Sequence, residues 1–461
     1  MKRNLVPIAR TPRVSRTLIG RAVGTAMLLL AGASAHATNL MDAYRAAQQN
    51  DPAYRMAIQE KIGGQEFRVQ GRSGLLPNIS ANAYKGKNRA DVVEPVTIFG
   101  GGLTHPAYQT TTASVQLRQS IVNFDAIARY KQGVAQTNVA DAQFEVHKQD
   151  LVMRVTEAYV NALFSDDQVR LVRAERDTLA EQQKVNDRMF KLGEGTRTDM
   201  IETQARLDVA EAQLLEALDA QATNRATLAG ITGTPIKTLS PLPDTFRLPP
   251  MDLGSFEAWK KIALERNPER VAQIYAIEIA RQEVNKGRAG HAPRLDFVAS
   301  ISKNDAETLA TRTQDTKMRS VGFQLTVPLY SGGYYSSTTR QAVASHERAK
   351  AELDARTDKI VVELQRQFNL VQSSIARVSA LEKAQASGKL LIQATTQSIK
   401  GGVRINLDLL SARQQLYATE KDLASARYNY LLALLRLRYA AGTLLERDVQ
   451  DIAAYFTGVP R

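Results

Sequence analysis

Two short stretches hold the residue types best placed to act together. They are KLGEGTRTDMIET (Lys191 to Thr203) and KGGVRINLDLLSA (Lys400 to Ala412), each with glycines, a threonine or arginine, and then an aspartate. They repeat at a spacing of 209 residues, so Gly193 answers Gly402 and Asp199 answers Asp408. Gly193, Gly195, Gly401 and Gly402 suit the turns that end helices, and Asp199-x-x-Glu202 reads as a capping box that starts a new one. That chemistry is structural. The histidines (His36, His105, His147, His291, His346) are scattered with no metal-ligand spacing, and neither a nucleophile elbow nor a phosphate-binding loop is present. No enzyme activity, cofactor or metal is therefore expected.

The elements around these turns form two copies of one plan. Leu40 to Asn88 matches Phe256 to Asn304 at a constant offset of 216, pairing Asp51-Pro52 with Asn267-Pro268 and Pro77 with Pro293. VQLRQSIV (Val115 to Val122) answers FQLTVPLY (Phe323 to Tyr330) at 208. Each copy reads helix, strand, loop, strand, very long helix, break, helix. The expected divisions are a signal peptide at 1–37, a first repeat at 38–233, a linker at 234–255, a second repeat at 256–442 and a C-terminal segment at 443–461. The linker holds five of the fifteen prolines.

Long helices are expected from about Asp125 to Phe190 and from about Tyr334 to Ile399. Beyond each break the apolar residues step by three and four: Leu409, Ala412, Leu416, Thr419, Leu423, Ala426, Tyr430, Ala433, Leu437 and Ala440, mirrored from Met200 to Ile231. This heptad seam predicts coiled-coil packing. The strands alternate with period two. Val321, Phe323 and Leu325 share a face, as do Leu295, Phe297, Ala299 and Ile301; the weaker first copy offers Ile79, Ala81 and Ala83, then Val115, Leu117 and Ile121. Loops are expected at about Arg89 to Gln109 and Asp305 to Met318.

The first 37 residues carry six positive charges, no acid and an apolar run ending in AHA, the pattern of an export signal. Its removal lowers the formal net charge from +13 to +7. The remaining charges alternate in sign along helices, which argues against nucleic-acid binding. There is no cysteine, hence no disulfide and no thiol for lipid attachment. No later stretch is apolar for 18 residues, so a membrane role must use strands. Four strands cannot close a sheet against lipid, and an open aqueous lumen requires at least three chains sharing one barrel.

The NDP and RNP starts, LLPNIS, VPLYSGG, GEGTRTD and ARYNYLLALLRLRYAAGTL (Ala426 to Leu444) resemble the TolC family of outer-membrane efflux and secretion proteins over essentially the whole mature chain. The resemblance implies a mainly α fold with a membrane β-barrel. In that fold each protomer of a homotrimer gives four strands to a twelve-stranded barrel in the outer membrane, continued by a periplasmic α-helical coiled-coil barrel, and residues 443–461 lie at its equator. It implies a passive duct with two partners, a periplasmic adaptor and an inner-membrane transporter, of ABC type by similarity to the type I secretion branch. It also assigns Asp408 to the periplasmic constriction, Arg404 to its turn, and Thr198 and Asp199 to supporting positions. Ser411 departs from the family pattern of a second aspartate, and Glu202 occupies the equivalent first-copy position. Protein secretion is the favoured reading; a multidrug or metal efflux channel and a pore-less periplasmic scaffold are the alternatives.

Overall fold

The computed structural model describes residues 38–456 apart from 98–99, 237, 244–245, 249–252 and 307–313. The proposed signal peptide lies outside them.

Each repeat opens with two helices joined at a proline. Helices α1 (Leu40–Asn50) and α2 (Pro52–Ser73) meet at Asp51, whose Oδ2 accepts from the Tyr54 amide. Helices α5 (Phe256–Arg266) and α6 (Pro268–Ala289) meet at Asn267, whose Oδ1 accepts from the Glu269 and Arg270 amides. The geometry follows from chemistry: a capping side chain satisfies the first free N–H groups, and proline tolerates the first helical position because it has none to satisfy.

Strands β1 (Asn78–Arg89), β4 (Ala107–Val122), β5 (Arg294–Ala306) and β6 (Gln314–Thr326) form one antiparallel sheet in the order β1-β4-β5-β6. Its register lines up the alternating residues of both repeats. Ile79, Leu117, Ala299 and Val321 make one apolar row, and Phe297 pairs with Phe323 and Leu295 with Leu325 on the same face. That face is uncovered: Ile79 is 68%, Val321 74% and Phe323 72% exposed. The opposite face carries Gln116, Ser300, Ser320, Arg118 and Asp296.

Three expectations need correction here. The segment from Arg89 to Gln109 is not a simple loop, because β2 (Val92–Thr97) and β3 (Gly100–Thr104) form an additional hairpin and β4 begins at Ala107. Likewise β6 begins at Gln314, well before Met318. In β4 the register shifts between Ser120 and Val122, so Val122 rather than Ile121 opposes Leu295. A bulge inserts one residue and reverses the alternation beyond it, which strict period-two reading cannot anticipate.

The long helices are α3 (Phe124–Leu192, 69 residues) and α7 (Tyr334–Lys400, 67 residues). At 1.5 Å per residue each reaches on the order of 100 Å. Near the sheet, α2, α3, α6 and α7 pack side by side; farther away, α3 pairs with α4 (Arg197–Thr232) and α7 with α8 (Asn406–Ala440), and α8 also packs on α3. The expected seam of α8 is buried at every position but the half-buried Leu416. Midway lies the main core, where Leu151, Tyr159, Leu228, Tyr430, Leu435 and Leu437 are joined by Leu239 and Phe246 of the inter-repeat segment. Helix α9 (Glu446–Phe456) adds Val449, Ile452 and Phe456, and Arg438 pairs with its Asp448. Among the described residues no helix is long and apolar enough to cross a membrane.

Candidate functional site: the paired helical turns

Both turns use one device to stop a long helix. Gly193 (φ 76°) and Gly402 (φ 72°) adopt the left-handed conformation that costs glycine least. After α3, the Gly193 amide donates to the Phe190 carbonyl and the Glu194 amide to that of Met189; after α7, Gly402 donates to Ile399 and Val403 to Ser398. This is the Schellman pattern, twice. Gly401 caps α7 with φ −82°, and Gly195 has room for no easy side chain, since a Cβ would stand 3.1 Å from Met189 Cβ.

The two restarts differ. Helix α4 is capped by Thr196, whose Oγ1 accepts from the Asp199 amide at 3.1 Å while donating to Asp199 Oδ2 at 2.6 Å. The capping residue is thus Thr196 and not Asp199, and the expected D-x-x-E box lies three residues too far along. The spacing rule held but acted on T-x-x-D. Glu202 instead accepts from Arg206 one turn on, at 2.9 Å. In the second repeat Ile405 stands where Thr196 stands in the first, and no side chain caps α8. Asp408 is consequently not tied to a cap. Its carboxylate is partly exposed, 3.8 Å from the Arg404 guanidinium, and sits in the first turn of α8 where the helix dipole favours an anion.

Within the chain, Thr198 and Asp199 do not bond to Arg404 or Asp408 through their side chains among the described residues. Thr198 is exposed, and Asp199 turns toward Thr196. The repeats are joined by a different group of residues, which sequence reasoning missed. Asn186 of α3 is buried, and its Nδ2 donates to Thr203 Oγ1 (2.7 Å) and to the Asp199 carbonyl (3.3 Å). Its Oδ1 accepts from Gln182 (3.1 Å) and from Asn406 Nδ2 of α8 (3.2 Å). Gln182 Nε2 also donates to Asn406 Oδ1 at 3.3 Å, and Arg413 reaches Gln182 Oε1 at 3.4 Å. Arg206 of α4 donates to Gln414 of α8 at 2.7 Å. Asn186 therefore ties α4 and α8 to one point on α3. A polar residue one heptad beyond the apolar Leu179 is the available sequence signal.

Above these links the coil is apolar, with Leu179, Leu207, Ala210 and Leu410 in contact. Glu175 of α3 is an exception. Burial raises its carboxyl above the ordinary range, partly offset by Lys421 of α8. Among the described residues no group of histidines and carboxylates could hold a metal ion.

An uncovered apolar sheet with two free edges, carried on coiled-coil hairpins that end in paired polar turns, defines a channel component of the outer membrane with a periplasmic helical extension. Comparison with known proteins assigns the family. The model of the outer membrane efflux protein family matches residues 43–234 and 259–443, and the chain belongs to that family. The chain is 39% identical to the alkaline protease secretion protein AprF of Pseudomonas aeruginosa over 94% of its length and 90% of that protein's. It is 37% identical to the proteases secretion protein PrtF of Dickeya chrysanthemi, covering 95% of each. Among solved structures, the CmeC outer membrane channel of Campylobacter jejuni superposes with a TM-score of 0.76 at 14% identity, over 92% of this chain and 90% of that one. The protein is an outer-membrane export channel of a family of transport channels rather than enzymes.

Proposed function

We propose that this channel is the exit duct of a type I secretion machine, and that its cargo is polypeptide. The observation that carries this reading is the near full-length similarity, at 37–39% identity, to two proteins named for protease secretion. The duct is a homotrimer in this reading. The sheet leaves β1 and β6 unpaired at its edges, and lipid cannot satisfy their backbone groups, so identical sheets join edge to edge into twelve strands. A periplasmic adaptor connects the helical end to an inner-membrane transporter of ABC type, which supplies the energy.

Asp408 and Arg404 form the periplasmic constriction, tripled by symmetry into a ring that concentrates negative potential and favours cations. Thr198, Asp199 and Glu202 support it from the first-repeat turn, and Gly193, Gly195, Gly401 and Gly402 shape the tips. The bonds from Gln182 and Asn186 to Asn406 hold the second hairpin against the first. Opening exchanges them for contacts with a partner that binds the open arrangement better. The test is deletion of the gene in its host, followed by assay of secreted protease and of drug or metal tolerance. Loss of secretion at unchanged tolerance supports the reading; intact secretion with lost tolerance replaces it with small-molecule efflux.

A further inference from the structure

The outward face of the sheet does not end at its apolar rows. Away from the helices, the residues on the face of Ile79, Leu117, Ala299 and Val321 turn cationic. Arg319 opposes Ile301, Lys303 opposes Lys317, Lys85 falls in the next row, and Lys87 and Arg89 complete β1. All six side chains are exposed. Asp305 and Asp315 share the row of Lys85, so cations outnumber carboxylates on this face by six to two.

The inner face treats its cations differently. Arg118 and Arg294 are both held by Asp296, at 2.6 and 2.8 Å. None of the six outward cations has such a partner among the described residues. Their position also fixes which side of the membrane they occupy. The helices leave the sheet from its other end and are periplasmic, so these cations lie at the outer leaflet. Lysine and arginine there can lay their methylene stems along the apolar rows and present the charge at headgroup level.

We propose that this girdle binds the phosphate groups of the outer-leaflet glycolipid. Phosphates at the glucosamine headgroup carry the complementary charge at the matching depth, and each cation near an anionic membrane surface gains about tenfold or less in affinity. The site is continuous with the lipid-facing surface, and it operates whatever cargo the lumen carries.

The test uses the full-length channel, purified in mild detergent and incubated with radiolabelled diphosphoryl lipid A, enzymatically dephosphorylated lipid A, or phosphatidylglycerol before gel filtration. The channel is expected to retain diphosphoryl lipid A roughly tenfold or more above the other two. Lys303→Gln/Lys317→Gln/Arg319→Gln should abolish most of that preference, while Lys131→Gln/Lys261→Gln/Lys383→Gln, an equal charge change on the helices, should keep it. Equal retention of phosphorylated and dephosphorylated lipid A by the unmodified channel overturns the proposal, as does equal loss in both triple variants. Retention of phosphatidylglycerol at the level of lipid A reduces the face to general anion attraction and overturns it too. If the strand variant fails to assemble, the comparison of the three lipids on the unmodified channel decides alone.

Discussion

Replacing Asn406 with alanine isolates the link between the two hairpins. The change removes the bonds from Gln182 Nε2 (3.3 Å) and to Asn186 Oδ1 (3.2 Å), while Gln182 and Asn186 keep each other at 3.1 Å. No buried group is orphaned, so the loss is that of two neutral hydrogen bonds, about 1 kcal/mol each. About 2 kcal/mol per chain moves the proposed equilibrium between closed and open packings by roughly thirtyfold, and coupling within the proposed trimer moves it further. Single-channel recording in a planar bilayer should therefore show larger or longer openings in Asn406→Ala. The melting temperature should fall only modestly, because the α3–α4 and α7–α8 pairs are intact. Asn186→Ala makes the contrast: it also cuts the bonds to Thr203 and the Asp199 carbonyl inside the first hairpin, and should lower the melting temperature clearly. Unchanged conductance in Asn406→Ala refutes the reasoning, as does a melting temperature lowered as far as in Asn186→Ala.

If Asp408 lines the proposed constriction, Asp408→Asn removes its charge with little change in shape, and reversal potentials in a salt gradient should show weaker cation preference. Unaltered selectivity places the charge elsewhere. Thr196→Ala should cost about 1 kcal/mol through the lost cap, whereas Glu202→Ala removes one partly exposed ion pair and should cost at most about half as much; chemical denaturation ranks the two, and the reverse order restores the aspartate box. Glu175 has a carboxyl pKa raised in the fold, so protonation is easier there than in the unfolded chain. Its contribution is complete at pH below the unfolded value and is lost as pH rises through the folded value. Glu175→Gln should thus raise the melting temperature at neutral pH and leave it unchanged in acid, and an equal shift at both ends rules out burial of the charge.

The elements were legible where one local rule governs many residues. Both long helices end within two residues of expectation because glycine sets the stop, and nine of the ten seam positions of α8 are buried because the spacing persists along the helix. The outward row of the sheet was readable strand by strand. Single insertions were not: the shift after Ser120 depends on how β4 meets β5, which no alternation within β4 encodes. The hairpin β2–β3 was obscured by the glycines and proline that fill it. Asp408 and Arg404 could be located by their turn, and the structure adds why Asp408 differs from Asp199: Ile405 offers no hydroxyl to engage it. The contact of Asn186 with Asn406 spans 220 residues and depends on α8 lying against α3. The only local signal for Asn186 is its polarity one heptad beyond Leu179, and nothing local names its partner.

One pore closed by sheets from several chains is the central requirement of the proposed duct. The most direct measurement is the mass of the mature protein extracted from the outer membrane in mild detergent, determined by light scattering with the detergent contribution subtracted. Three chains per particle is the expected result. A one-chain particle contradicts it.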